Sequence, residues 1–223
     1  MADLIKAWLG LDPAIFMALC GIVLGAGAVR GLTGFGFAIL AVPLMGLVIP
    51  PTEAVLLAII LQMLIGPFGV SGAIAHIDRW LVSGVALGAA LGTPLGLLVL
   101  SATAPDTARL MIAAIAIGCF GIFLIKRAPL PNRAPSHIAA TGLAAGVLNG
   151  FAAMPGPPVV LYFVRSGVTP MAARGSMILV FFAAATAGTV TAWLRGLLDG
   201  HLVLLCCGFP VDAGWKPCRV EVF

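Results

Sequence analysis

Residues 30–37 read RGLTGFGF and interrupt an otherwise apolar part of the sequence. Apolar runs lie on both sides of this stretch, at 14–29 and 37–49. Glycine is a poor helix former, and a helix end leaves backbone N–H and C=O groups without intrahelical partners. Three glycines behind an arginine therefore predict a break between two helices, with several polar groups gathered in an apolar setting.

The composition of the chain indicates a lipid environment. Of its 223 residues, 61% are hydrophobic and only 9% are charged, and the mean hydropathy is +1.17. Soluble domains carry about 25% charged residues. The net charge of +4 comes from 12 basic residues dispersed between apolar runs, so no nucleic-acid partner is expected. We expect an all-α polytopic membrane protein whose surroundings are a lipid bilayer.

The apolar runs differ in length, and the length predicts what each can do. A spanning helix needs about 20 residues. Three runs meet this requirement: 54–75, 80–104 and 172–194. The run at 108–125 is marginal, and a further run lies at 201–209. Four shorter runs predict half-helices: 14–29, 37–49, 138–153 and 157–164.

The four short runs form two pairs, and each pair is divided by a break. The second break is 149–158, NGFAAMPGPP. A shift of 119 residues carries Gly31 onto Gly150 and Pro51 onto Pro170, which predicts an internal repeat. The predicted units are a first repeat (1–125), a basic linker (126–137), an incomplete second repeat (138–208) and an atypical tail (209–223). The sequence leaves open whether the repeats run parallel or inverted.

Basic residues predict the orientation in the membrane. Lys126, Arg127 and Arg133 precede His137 in a loop without any acid, and the positive-inside rule places such a loop in the cytoplasm. The turn at 76–79 is expected on the same side, with Asp78 as a helix cap. We expect a multi-pass protein of the cell inner membrane.

The two breaks are the candidate site. Helix N-termini carry partial positive charge and free N–H donors, which suit an oxyanion. Gln62 lies mid-span and adds a polar group at membrane depth. The candidate residues for binding a small anion are Arg30, Gly31, Thr33, Gly34, Gly36, Gln62, Asn149, Gly150, Pro155, Gly156 and Pro157. Two alternatives stay open: Arg30 reaches a membrane interface instead, and both breaks are packing kinks.

Other patterns favour structure over chemistry. Gly84, Gly88, Gly92 and Gly96 recur every fourth residue, as do Gly142, Gly146 and Gly150, which is typical of close helix packing in lipid. Cysteines and histidines lack metal-ligand spacing, and no catalytic constellation is present, so neither a cofactor, a metal nor an enzyme is expected.

At both breaks the chain resembles the TauE/SafE family of sulfite and organosulfonate permeases. The resemblance rests on Gly31–Phe37 (GLTGFGF), Val42-Pro43 and Pro50–Ala54 (PPTEA) in the first half. In the second half it rests on Gly146–Gly150 (GVLNG) and Gly167–Ala173 (GVTPMAA). The resemblance implies two related halves in the cytoplasmic membrane that move small sulfur-containing anions, usually outward. The second break carries prolines where the family often shows glycines, which removes backbone donors.

The function expected on this basis is a permease for small anions, sulfite or organosulfonates, with export favoured. The alternatives are a membrane scaffold or assembly subunit without transport, and a permease inactivated by a missing C-terminal helix, since the sequence after Gly208 does not read as a membrane helix. Association into homo-oligomers is left open.

Overall fold

The computed structural model of the chain describes residues 12–33, 36–70, 77–124 and 134–198. Within these ranges it contains eight α-helices and no strand. The helices are α1 (Pro13–Thr33), α2 (Phe37–Met45), α3 (Pro51–Val70), α4 (Arg79–Ala102), α5 (Pro105–Leu124), α6 (Pro135–Ala152), α7 (Gly156–Arg165) and α8 (Pro170–Leu194). The all-α class predicted from the sequence is confirmed.

Three helices in the described part of the chain are long and apolar enough to cross a membrane. They are α4, α8 and, within α1, the segment Pro13–Gly31. The prediction of a half-helix at 14–29 is therefore wrong, because α1 has 21 residues and continues through its glycines to Thr33. In lipid, a helix satisfies its own backbone hydrogen bonds, so scattered glycines do not end it.

For the other three short runs, the structure confirms two of the predicted half-helices and shows a longer helix at the third. The half-helices predicted for 37–49 and 157–164 are confirmed, since α2 has nine residues and α7 has ten. The run at 138–153 belongs to a helix of 18 residues, because α6 begins earlier, at Pro135. Proline suits the first turn of a helix, where its missing N–H has no partner to lose.

The glycine rows of α4 and α6 bring the two helices into backbone contact. A Cβ atom added to Gly88 would lie 2.9 Å from the Cα atom of Gly142, and one added to Gly92 would lie 3.1 Å from that of Gly146. On the opposite side of α4, Leu87 is exposed, as lipid-facing side chains are. The packing role predicted for the glycines is confirmed.

The contacts between helices also give their directions. Gly84 of α4 meets Ile138 near the start of α6, and Gly96 meets Phe151 near its end, so α4 and α6 run parallel. This places the capped turn at Asp78 and the start of α6 at the same end of the bundle, as predicted. The Asp78 carboxylate accepts a hydrogen bond from the backbone N–H of Leu81 at 3.3 Å.

Helices α3 and α8 run antiparallel, which settles the orientation of the repeat. Gly66 of α3 lies against Phe182, and the earlier residue Ile59 lies against the later Gly188. The shift of 119 residues carries the start of α2 onto the start of α7, and that of α3 onto that of α8. Because these corresponding helices point in opposite directions, the repeats are inverted.

The domain bounds themselves stay a prediction. Most of the basic linker (126–133) and the whole tail (209–223) lie outside the described residues, as do the run at 201–209 and the histidine at position 76.

Candidate functional site

The first break is shorter than the sequence predicts. Helix α1 continues to Thr33, so Arg30 and Gly31 belong to its last turns and not to opened backbone. Gly36 then precedes α2 with φ 93°, a left-handed conformation that glycine adopts readily. The first backbone N–H with a helical partner is that of Leu40, which bonds to the carbonyl of Gly36 at 3.4 Å.

The N–H groups of residues 37–39 therefore precede the hydrogen-bonded part of α2. Such first-turn amides have no intrahelical acceptor, and they lie at the positive end of the helix dipole. Among the described residues, none of these three N–H groups has a backbone acceptor.

The second break is confined to residues 153–155, and backbone hydrogen bonds to α6 hold its first two residues. Ala153 adopts a left-handed conformation, φ 55°, which is uncommon for a residue with a side chain. Its N–H donates to the carbonyl of Asn149 at 2.7 Å, and the N–H of Met154 donates to that of Leu148 at 3.2 Å. The backbone that the sequence predicted to be open from Asn149 to Pro158 is helical at both ends.

One small cavity borders both breaks. Its volume is about 20 Å³, which is room for about one water-sized group. It is lined by Arg30, Gly36, Phe37, Ala38, Ile39, Gln62, Ala153, Met154, Pro155, Gly156 and Phe181. The structure therefore brings together five of the predicted site residues: Arg30, Gly36, Gln62, Pro155 and Gly156.

The cavity is electropositive in character. The N-termini of α2 and α7 both border it, Arg30 contributes a half-buried guanidinium, and no carboxylate is among the described residues that line it. The two helix ends are unequal donors, because Pro157 and Pro158 have no N–H and leave Gly156 as the single donor among the first three residues of α7. Most backbone donors come from the first break.

Gln62 connects α3 to the second break. Its side chain is 5% exposed, and its Nε2 atom donates to the carbonyl of Ala153 at 3.1 Å. The side chain therefore holds the left-handed turn in place while it lines the cavity.

Asn149 and Gly150 lie outside the cavity. The Asn149 side-chain amide, fully buried, donates to the Thr93 hydroxyl at 3.3 Å and to the Ala184 carbonyl at 3.0 Å. Gly150 packs against the backbone of α4, with no room for a Cβ atom. Both residues join helices, and neither is a direct ligand in this conformation.

The remaining predicted residues divide into two groups. Gly31 is exposed and Pro157 is buried, and neither lines the cavity. Thr33 is the last residue of α1, and Gly34 lies outside the described residues.

Sequence reasoning missed six lining residues, three at the start of α2 and three elsewhere: Phe37, Ala38, Ile39, Ala153, Met154 and Phe181. The repeat could have found Ala153, because the 119-residue shift carries Gly34 onto it. Phe181 lies mid-helix in an apolar run and carries no local signal.

These features define an all-α membrane protein built from inverted repeats, with a cavity where two broken helix pairs meet, as in transporters. The sequence model of the family described as "Sulfite exporter TauE/SafE" matches residues 18–214. The chain belongs to this family, and it is a membrane transporter by family.

A curated relative agrees with the family. The chain is 29% identical over 205 residues to the "Probable sulfite/organosulfonate exporter TauE" of Cupriavidus necator, covering 89% of this chain and 77% of the relative. No solved structure matches the chain.

Proposed function

We propose that the chain is an inner-membrane permease that carries a small oxyanion, sulfite or an organosulfonate, through the cavity between the two breaks. The observation that carries the proposal is that this one cavity borders the N-termini of α2 and α7 together with Arg30. The name of the Cupriavidus necator relative supports the substrate class.

The chemistry of the cavity suits an anion that sheds water. Backbone N–H groups at a helix N-terminus can replace hydration, and their partial charge does not need a proton. Arg30 adds a full positive charge, and no lining carboxylate opposes it. The site would therefore select oxyanions by charge and by acceptor number.

The membrane potential favours export of an anion over its import. A potential of 100 mV contributes about 2.3 kcal/mol per elementary charge, and with the inside negative it drives an anion outward. Because no acidic pair is among the described residues that line the cavity, we favour the potential over a proton as the driving force.

Transport requires a conformational change. A volume of about 20 Å³ is closed to a hydrated anion, so the breaks must move apart. The inverted repeats allow a structural exchange in which the α1–α2 pair and the α6–α7 pair open the cavity towards opposite sides in turn.

Efflux of ³⁵S-labelled sulfite from proteoliposomes under an imposed potential tests the proposal. Gly36→Leu, which strains the left-handed residue and fills the cavity, should abolish efflux. Gly167→Leu is the matched control, because Gly167 also has a positive φ, 67°, but lies in the turn before α8 and away from the cavity. Equal efflux from the parent and Gly36→Leu, with both folded, would contradict the site.

A scaffold or assembly subunit is the second candidate function. The observation that favours it is on α1, where an added Cβ atom at Gly21 or Gly25, one turn apart, would meet no described atom within 4 Å, which leaves this face open to another helix. A scaffold would gain no stability from an oxyanion, whereas a permease would.

A further inference from the structure

The two halves of the chain contribute different surfaces to the central cavity. The first half contributes the side chains of Arg30 and Gln62 and the first-turn N–H groups of α2 at residues 37–39. The second half contributes five of the described lining residues, and none of them has a polar side chain: Ala153, Met154, Pro155, Gly156 and Phe181. One part of the lining therefore suits an anionic group, and the other suits an apolar group.

The backbone of the second break adds little polarity to its part of the lining. The N–H groups of Ala153 and Met154 donate to carbonyls of α6, and the Ala153 carbonyl accepts a hydrogen bond from Gln62. Pro155 has no N–H, and neither have the two prolines that follow Gly156. The N–H of Gly156 is the single backbone donor that remains at residues 153–158.

The repeat shows the same difference at one pair of equivalent positions. The shift of 119 residues carries Gln62 of α3 onto Phe181 of α8, and both side chains are 5% exposed and line the cavity. The Cζ atom of Phe181 lies 3.7 Å from the position that a Cβ atom on Gly156 would take, so the ring adjoins the start of α7. Equivalent positions thus carry an amide and an aromatic ring, and a ligand between them must have two unlike ends.

We propose that the cavity selects sulfonates that carry one charge and an apolar carbon chain. The sulfonate group contacts Arg30 and the N–H groups at the start of α2, and the carbon chain packs against Met154 and Phe181. Phe181 is then the residue that determines specificity, because a hydroxyl or a second charge on the chain would be buried beside its ring without a partner. This orientation rests on the proposed function, since it concerns the same cavity.

The proposal distinguishes sulfonates from sulfite and from one another. Sulfite has no carbon chain, so the apolar part of the lining gives it no additional binding. The cavity admits about one water-sized group in this conformation, and the carbon chain therefore enters as the breaks separate. Opening of the α1–α2 and α6–α7 pairs widens the space between Arg30 and Phe181, which is where a molecule with a charged end and an apolar end fits.

Two sulfonates of equal charge and similar size test the proposal. Propane-1-sulfonate and 2-hydroxyethane-1-sulfonate differ in that a hydroxyl group replaces the terminal methyl group. Calorimetric titration of the full-length chain in phosphatidylcholine nanodiscs should give a Kd about tenfold lower for propane-1-sulfonate. Empty nanodiscs correct for uptake by the lipid. Equal Kd values, or tighter binding of the hydroxylated anion, would overturn the proposal.

Substitutions locate the origin of the preference. Phe181→Gln places an amide at both equivalent positions and should reduce the difference in Kd to less than about twofold. Phe182→Gln is the matched control, because the ring of Phe182 lies against Gly66 of α3 and does not line the cavity, and it should keep the tenfold difference. Arg30→Gln should weaken the binding of both sulfonates by the same factor.

A milder substitution tests the same contact without a buried amide. Phe181→Leu keeps the lining apolar but leaves more room beside the carbon chain. It should improve the Kd of pentane-1-sulfonate relative to that of propane-1-sulfonate about threefold. Unchanged ratios of Kd in folded Phe181→Gln and Phe181→Leu would overturn the role of Phe181.

Sulfite separates this proposal from the proposed function. Binding and efflux of sulfite without a preference between the two sulfonates would overturn the orientation and leave the permease in place. A preference for propane-1-sulfonate that is lost in Phe181→Gln supports the orientation even if no sulfite efflux is observed. A folded chain that binds neither sulfite nor either sulfonate would overturn both.

Discussion

The two helix breaks occupy equivalent places in the repeat, yet they are built differently. The first break follows α1, ends in a left-handed glycine, and offers three first-turn amides and Arg30 to the cavity. The second follows α6, begins with a left-handed alanine, and uses its amides in hydrogen bonds back to α6. The first break therefore contributes most of the polar groups that line the cavity. The second contributes a turn that is held by its own hydrogen bonds.

The helices that precede the two breaks, α1 and α6, also differ in how closely they are packed. Helix α6 is packed against α4 by glycine contacts between their backbones, whereas few residues of α1 are buried by the described part of the chain. An added Cβ atom at any of the α1 glycines would meet no atom of the described residues within 4 Å. Equivalent positions therefore carry different packing, which mutations at matched residues can measure.

The largest effect is expected at the pair Gly146 and Gly27, which the repeat superposes. Gly146→Ala pushes a methyl group into the backbone of α4 and should destabilise the protein by about 3 kcal/mol. Gly27→Ala meets no described atom within 4 Å, and its stability should stay within about 1 kcal/mol of the parent. Thermal unfolding of both variants in the same detergent checks this. Equal losses would show that α1 and α6 are packed alike.

The next effect concerns the charge at the first break. Arg30→Gln removes the positive charge from the cavity and should lower sulfite efflux about a hundredfold, or about 2.7 kcal/mol, as expected for a desolvated charge contact. Arg30→Lys should recover part of the rate. Arg174→Gln, outside the cavity, serves as the control for net charge. If sulfite efflux by Arg30→Gln is within twofold of the parent, Arg30 does not bind the anion and only anchors α1 at the membrane interface.

A smaller effect is expected from the bond that holds the second break. Gln62→Leu leaves the Ala153 carbonyl without its side-chain donor and should cost about 1.5 kcal/mol of stability. Thr186→Val is the matched control, because the Thr186 hydroxyl donates to a carbonyl one turn earlier in its own helix, and it should cost less than about 0.5 kcal/mol. Chemical unfolding with a tryptophan signal measures both, and indistinguishable values would remove Gln62 as the support of the turn.

Much of the fold could be predicted from the sequence because a lipid environment favours apolar helices of a fixed length, whose backbone hydrogen bonds are internal. Length and hydropathy identified α4 and α8, glycine spacing identified the α4–α6 contact, and prolines and glycines marked the repeat. The extent of α1 could not be predicted in this way, since propensity counts glycines as breakers while a helix in lipid keeps its internal bonds. The inversion of the repeats depends on helix directions, which only contacts such as Gly66 with Phe182 reveal.

The sequence predicted part of the lining of the central cavity, and the binding role of these residues stays a prediction. The pairing of two breaks pointed to Arg30, Gly36 and Gly156, which line one cavity. Asn149 has the same polar character in sequence, but three-dimensional packing directs its amide to α4 and α8. The orientation of the Asn149 side chain depends on its partners in space. These partners, Thr93 and Ala184, are distant in the sequence, so the local sequence does not reveal them.

The most direct test of an anion site between the breaks is thermal unfolding of the purified chain against matched concentrations of sulfite, an organosulfonate, acetate and chloride. A ligand that binds the folded state alone stabilises it by RT ln(1 + [L]/Kd), or about 2.7 kcal/mol at a hundred times Kd. We expect stabilisation by the sulfur oxyanions in the parent and in Gly167→Leu, and its loss in Gly36→Leu. Stabilisation that is absent from the folded parent, or that persists in Gly36→Leu, would contradict the account.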